Sequence, residues 1–155
     1  MKQFNLKKSI TVKRPLIEVF HYVSHFENSD QWSSSVKESR KISPGLLGVG
    51  TRFELIFGFG PFKGTVLYEV KNYEKDKLIL VHGSGPHYEG EEKISFHKID
   101  EVTTQINYEM KHQIKGFFSV FGSRFKDNKF SFGDGVLDEL KRALEFVPPE
   151  PKANL

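Results

Sequence analysis

Apolar residues recur at even positions from Phe4 and Leu6 to Ile10 and Val12, a period of two that predicts a first β-strand with one buried face. Pro15 ends it. Proline suits the first turn of a helix, and Leu16, Val19, Phe20 and Val23 follow at spacings of three and four, which predicts a short amphipathic helix. A second helical turn is expected from about Asn28 to Trp32, with Asn28 or Ser29 capping its free amides. After Pro44-Gly45 and the glycines at 48 and 50 the period returns to two. Phe53, Leu55, Phe57 and Phe59 alternate with Arg52, Glu54, Ile56 and Gly58, and Val66, Tyr68 and Val70 alternate with Thr65, Leu67, Glu69 and Lys71. Further strands are read over 78–82, 88–97 and 103–112. The turns between them are too short for parallel crossovers, so the strands form an antiparallel meander.

Past Gly116 the period changes again. Phe118, Phe121, Phe125, Phe132, Val136, Leu140, Leu144 and Val147 stand three, four or seven residues apart, on one stripe of a single long helix. Gly133 and Gly135 mark a bend or a close packing within it. Pro148-Pro149 ends it, leaving 148–155 as a flexible tail and 1–147 as one domain. The order is strand, two short helices, about six more strands and a long helix. This is an α+β fold in which a curved antiparallel sheet of about seven strands grips the C-terminal helix, because short helices alone cannot cover so large an apolar face. Gly58, Gly60, Gly64, Gly83, Gly85 and Gly90 are expected to supply the bulges and bends that let the sheet curl.

Composition narrows the chemistry. The chain of 155 residues has no cysteine, which excludes disulfides, thiolate nucleophiles and thiol-ligated metals. Its net charge of +3 is spread among acidic residues, a poor match to nucleic acid. Lys7, Lys8, Lys13 and Arg14 form the densest basic cluster, which reads as a solvated strand end before a phosphate or membrane contact. No secretory signal and no integral membrane segment is apparent, and a cytoplasmic location is expected. Neither Gly48-Val49-Gly50 nor Gly58-Phe59-Gly60 completes a dinucleotide or phosphate loop, and there is no Gly-x-Ser-x-Gly elbow, so no cofactor is implied. Fifteen Phe can fill a core or line a cavity.

Ser9-Ile10-Thr11-Val12 before Pro15 and Val19-Phe20, Trp32 after the short helices, and Gly48-Val49-Gly50-Thr51-Arg52-Phe53 at the third strand form an ordered set. Tyr73-Glu74 leading to Leu78, and Thr103-Thr104-Gln105-Ile106 at the seventh strand, complete it. In order and spacing this set resembles the START-like helix-grip superfamily (SRPBCC), which includes START-type lipid-binding domains and the major birch pollen allergen, and most of all its polyketide cyclase/dehydrase-like proteins. The resemblance spans roughly residues 3 to 147. It implies a deep cavity between sheet and long helix, but not one function, since carriers, cyclases, hydrolases and chaperone activators share the fold. The Phe-rich stretch from Gly116 to Phe132 departs from what the resemblance leads one to expect, and would shrink the cavity or make it strongly apolar.

Candidate chemistry is sparse. His21 and His25 stand four apart on the first helix, a spacing that suits a shared metal or two solvated side chains. His82 and His112 share the parity of Leu80 and Met110, and with His87 they are candidates for a polar anchor, a general base or a strand-end hydrogen bond. Tyr68, Tyr88 and Tyr108 belong to three strands and could converge to orient a ligand. Glu92 shares parity with Ile94 and Phe96, which leaves it a buried carboxyl or an exposed strand end. Phe117, Phe121 and Phe125, with Phe57 and Met110, are expected to form apolar walls. The favoured expectation is a non-enzymatic binder or carrier of a small hydrophobic ligand such as a lipid, an isoprenoid or an aromatic, polyketide-like compound. The alternatives are a cyclase or dehydratase using cavity His, Tyr or Glu, and a protein-interaction module with a collapsed cavity.

Overall fold

The computed structural model describes residues 2–59, 62–115 and 134–146. The first strand, β1 (Lys2–Val12), is followed by α1 (Leu16–Ser24), a 3-10 turn over Phe26–Asn28 and α2 (Ser29–Trp32). Six strands come next: β2 (Val36–Lys41), β3 (Arg52–Phe59), β4 (Phe62–Glu74), β5 (Leu78–Gly85), β6 (Tyr88–Asp100) and β7 (Thr103–Ile114). The helix α3 (Asp134–Glu145) closes the described chain. The strands form one antiparallel sheet of seven in the order β1-β7-β6-β5-β4-β3-β2, so that every neighbour but the β1–β7 pair is also a neighbour in sequence. This is the helix-grip arrangement.

The strands from β3 to β7 bury alternate residues, as their patterns require. Phe53 and Leu55 of β3, Val66, Tyr68 and Val70 of β4, Ile79 and Val81 of β5, Ile94 and Phe96 of β6 and Ile106 of β7 point inward. A register shift between Val70 and Asn72 changes the parity of β4, and Tyr73 then packs its ring on Phe20, at 5.7 Å between centroids. The helices close over this face. Phe20 meets Phe96 edge-on at 5.1 Å, and Phe26 stacks on Phe53 at 5.6 Å. Leu137, Leu140 and Leu144 of α3 are buried, each worth about 1.5–3 kcal/mol over an exposed position.

Polar contacts fix α3 between the two ends of the sheet. Ser34, just before β2, donates its amide to Glu139 at 3.1 Å, while Lys141 donates to the Thr11 carbonyl of β1 at 2.7 Å. The Arg14 guanidinium donates to the Leu144 carbonyl at 2.6 Å, which satisfies a free acceptor at the helix C-terminus and complements its dipole.

Several expectations are corrected. β2, whose Val-Lys-Glu-Ser-Arg-Lys sequence has no apolar alternation, could not be placed from periodicity and carries a bulge between Val36 and Glu38. Neither Asn28 nor Ser29 caps α2 with a side chain; the buried Asn28 amide instead donates to the Tyr22 carbonyl at 3.1 Å. Among the described residues nothing stands within 4 Å of a Cβ built on Gly135, and the residue is exposed. None of the register shifts falls at Gly83, Gly85 or Gly90. The predicted helix from Gly116 to Gly133 lies outside the described residues, and with it Phe117, Phe121 and Phe125, as does Val147.

Candidate functional site

The inward face of β4 to β7 carries a polar cluster inside the apolar sheet. Tyr68, Glu92, Tyr108 and His112 are buried, and Tyr88 is half-buried beside them. Their meeting follows from register. Glu92 of β6 stands opposite Val81 of β5 and Met110 of β7, both inward residues, so its carboxyl must enter the core. Tyr108 lies diagonally across the β6–β7 ladder from Glu92 and donates its hydroxyl to that carboxyl. Tyr68 donates in turn to the Tyr88 oxygen.

Two glycines make the second hydrogen bond possible. Gly83 and Gly90 face each other across β5 and β6. A Cβ on Gly83 would stand 2.6 Å from the Tyr68 ring, and one on Gly90 would stand 2.8 Å from the Tyr88 hydroxyl and 2.6 Å from the His112 Cβ. The pair is a patch bare of side chains against which the Tyr68 ring and the Tyr88 hydroxyl pack. His112 sits between Phe4 and Tyr88, with ring centroids at 5.4 and 5.7 Å.

Burial dominates the electrostatics. The Glu92 carboxyl is pushed up to about 7 by loss of water, against the smaller opposing effect of the Tyr108 hydrogen bond. Burial also raises the hydroxyls of Tyr68, Tyr88 and Tyr108, helped by the Glu92 charge. It lowers His112 to about 4, so the imidazole is neutral at physiological pH.

Above this cluster the described residues bound a pocket of about 50 Å³, room for a few water molecules. Tyr68, Glu92 and Tyr108 form its polar floor. Phe57 and Met110 stand on the sheet side, Phe26 and Trp32 on the helical turns, and Val136 and Leu137 on α3. Of the nine residues expected to contact a ligand, Phe57, Tyr68, Tyr108 and Met110 border this pocket, and Tyr88 is one hydrogen bond behind it.

His82 does not belong to the set. Its register partners are Glu69 and Glu91, both on the outward face, and its Nε2 lies 3.5 Å from Glu89. The parity it shares with Leu80 is that of the half-buried side of β5, whereas Ile79 and Val81 carry the core. His87 is exposed. His21 and His25 have ring centroids 4.5 Å apart, and His25 Nδ1 lies 3.1 Å from the buried Glu27 carboxylate. No group of three metal-ligating side chains occurs among the described residues. Periodicity placed Val136 on the apolar stripe of the long helix but did not bring Phe26, Trp32 or Leu137 to the pocket, because these reach it from helices whose docking is a tertiary property. Leu55 and Ile94, by contrast, share strand parity with Phe57 and Glu92 and were within reach.

A seven-stranded antiparallel sheet, two short helices after its first strand, and an apolar pocket under a C-terminal helix define a START-like helix-grip protein. Solved structures share this fold. One START superfamily protein from Mycobacterium smegmatis is 17% identical with a TM-score of 0.68, covering 91% of this chain and 94% of its own. The Zhui aromatase/cyclase from Streptomyces sp. R1128 is 11% identical with a TM-score of 0.68, over 96% and 100%. A protein from Thermus thermophilus is 12% identical with a TM-score of 0.73, over 90% and 95%. The chain belongs to the family described as polyketide cyclase / dehydrase and lipid transport, which residues 3–145 match. No curated protein matches it by sequence. Among the described residues no helix is long and apolar enough to cross a membrane.

Proposed function

We propose that the protein binds a small hydrophobic molecule, a lipid, an isoprenoid or an aromatic, polyketide-like compound, between the sheet and the C-terminal helix. The observation that carries this reading is the cluster of Tyr68, Glu92 and Tyr108 on the floor of an apolar pocket. Burying a carboxyl and hydroxyls costs free energy that Leu or Phe at the same inward positions would not incur. A few convergent polar groups within apolar walls suit a ligand that is greasy along its length and polar at one end. Phe117, Phe121 and Phe125 are proposed as further wall.

Trp32 is the chain's single tryptophan and borders the pocket, so its fluorescence reports on the site alone. Incubation with lipid and polyketide extracts, followed by native mass spectrometry, should give a retained mass, and the same ligand should shift Trp32 emission saturably. Absence of both across the two extracts refutes binding.

A second reading has one observation in its favour. A carboxyl pushed up to about 7 and held by a tyrosine hydroxyl is poised to give or take a proton near neutral pH. A cyclase or dehydratase of this kind should turn over a poly-β-keto thioester, and Glu92→Gln should slow it by about 10²–10⁴-fold. Identical product mixtures with and without the protein would remove this reading.

A further inference from the structure

We infer that the floor of this pocket selects a ligand whose polar end is a cationic amine, in preference to a fatty acid or a phosphate. The inference rests on the hydrophobic-ligand reading and names the chemical class within it. Glu92 puts a carboxyl at the bottom of the pocket, where it is 6% exposed. Among the described residues that border the pocket there is no Lys, Arg or His, and the other polar side-chain groups are the hydroxyls of Tyr68, Tyr108, Ser29, Ser33 and Ser35 and the indole N–H of Trp32. An anionic headgroup would set a second negative charge beside Glu92 where little water screens it. An ammonium group would do the reverse. Its N–H groups donate to the carboxylate in charge-assisted hydrogen bonds, and the aromatic side chains of Tyr68, Tyr108, Phe26 and Trp32 line the same pocket, where a ring face attracts a cation and repels an anion.

The pH response follows from the groups that face Glu92. From β4, β6 and β7 these are the hydroxyls of Tyr68, Tyr88 and Tyr108, all raised and therefore un-ionised near neutrality. His112 of β7 is lowered to about 4 and stays neutral above pH 6. Lys8 of β1, half-buried across the ladder from Tyr108, does not border the pocket. From α3 the pocket receives Val136 and Leu137, neither of which ionises. Glu92, pushed up to about 7, is then the group that changes charge between pH 6 and pH 8, and an alkylamine remains protonated throughout.

Titration of Trp32 fluorescence with n-octylamine, n-octanol and octanoate separates the possibilities. At pH 8 octylamine should bind about tenfold or more tightly than octanol, with octanoate weakest. Between pH 6 and pH 8 the octylamine affinity should rise about tenfold, while that of octanol stays level. Glu92→Gln should abolish both the preference and the pH dependence. The pH contrast in the unaltered protein stands even if that variant folds poorly. Octanol or octanoate binding as tightly as octylamine overturns the amine assignment and leaves the hydrophobic-ligand reading intact. Failure of all three to bind overturns both.

Discussion

Glu92 and His112 are held away from their ordinary charge in one core, and their removal one at a time should tilt the stability of the protein in opposite directions with pH. Burial pushes Glu92 from 4.5 up to about 7. Between those values the folded chain binds a proton that the unfolded chain has lost, so stability falls as pH rises, by about 1.4 kcal/mol per unit at most. Burial lowers His112 from 6.5 to about 4. Between those values the unfolded chain binds the extra proton, so stability rises with pH by a similar slope. The windows overlap from about 4.5 to about 6.5, where the two effects oppose each other. Each group spans about 2.5 units, on the order of 3 kcal/mol in full.

Urea unfolding followed by Trp32 fluorescence at pH 5, 6, 7 and 8 measures this. Glu92→Gln keeps an acceptor for Tyr108 and has no proton to lose. The difference in unfolding free energy between Glu92→Gln and the unaltered protein should grow in favour of the variant by about 2–3 kcal/mol from pH 5 to pH 8. His112→Gln should do the opposite in sense, gaining relative stability as pH falls from 6.5 toward 4. Surface carboxylates lowered by ion pairs, Glu69 and Glu89 among them, tilt all three curves alike and cancel in the differences. Parallel curves for the unaltered protein and Glu92→Gln would show that the carboxyl is hydrated in the folded state, and the burial argument for both residues would be wrong.

Two further substitutions test how the floor is built. Gly83→Ala places a methyl 2.6 Å from the Tyr68 ring, so it should destabilise the fold by about 1–3 kcal/mol in urea unfolding and weaken the binding of any pocket ligand. A neutral effect on both would mean that Tyr68 shifts freely. His82→Ala, on the outward face beside Glu89, should leave ligand affinity unchanged and alter stability by no more than about 0.5 kcal/mol. A large affinity loss would place His82 in the site after all.

What the sequence revealed and what it hid have the same physical origin. Strand periodicity located β1, β3, β4, β6 and β7 because each has an apolar and a polar face, and it located Tyr68 and Tyr108 through the parity of their Val and Ile neighbours. It was silent for Leu78-Ile79-Leu80-Val81, where both faces are apolar and no period exists, so the side taken by His82 could not be decided within its own strand. The ladder decides it. His82 stands between Glu69 and Glu91, and its neighbour Val81 stands between Val70 and Glu92. One residue of offset separates a solvated histidine from a buried carboxyl, and only cross-strand pairing carries that information.

The same ladder explains the glycines, which look like bends in one strand and act as clearance between two. Gly83 and Gly90 are small because Tyr68 and Tyr88 must lie over them, and those tyrosines must lie there for their hydroxyls to meet. A core made only to be stable would fill that patch with Val or Ile and replace Glu92 with Leu, gaining apolar burial and losing the desolvation cost. Two strands that instead give up side chains to seat a hydrogen-bonded tyrosine pair, next to a carboxyl that burial holds near neutrality, keep a polar floor at the expense of stability. That cost is most simply explained by a molecule that meets the floor.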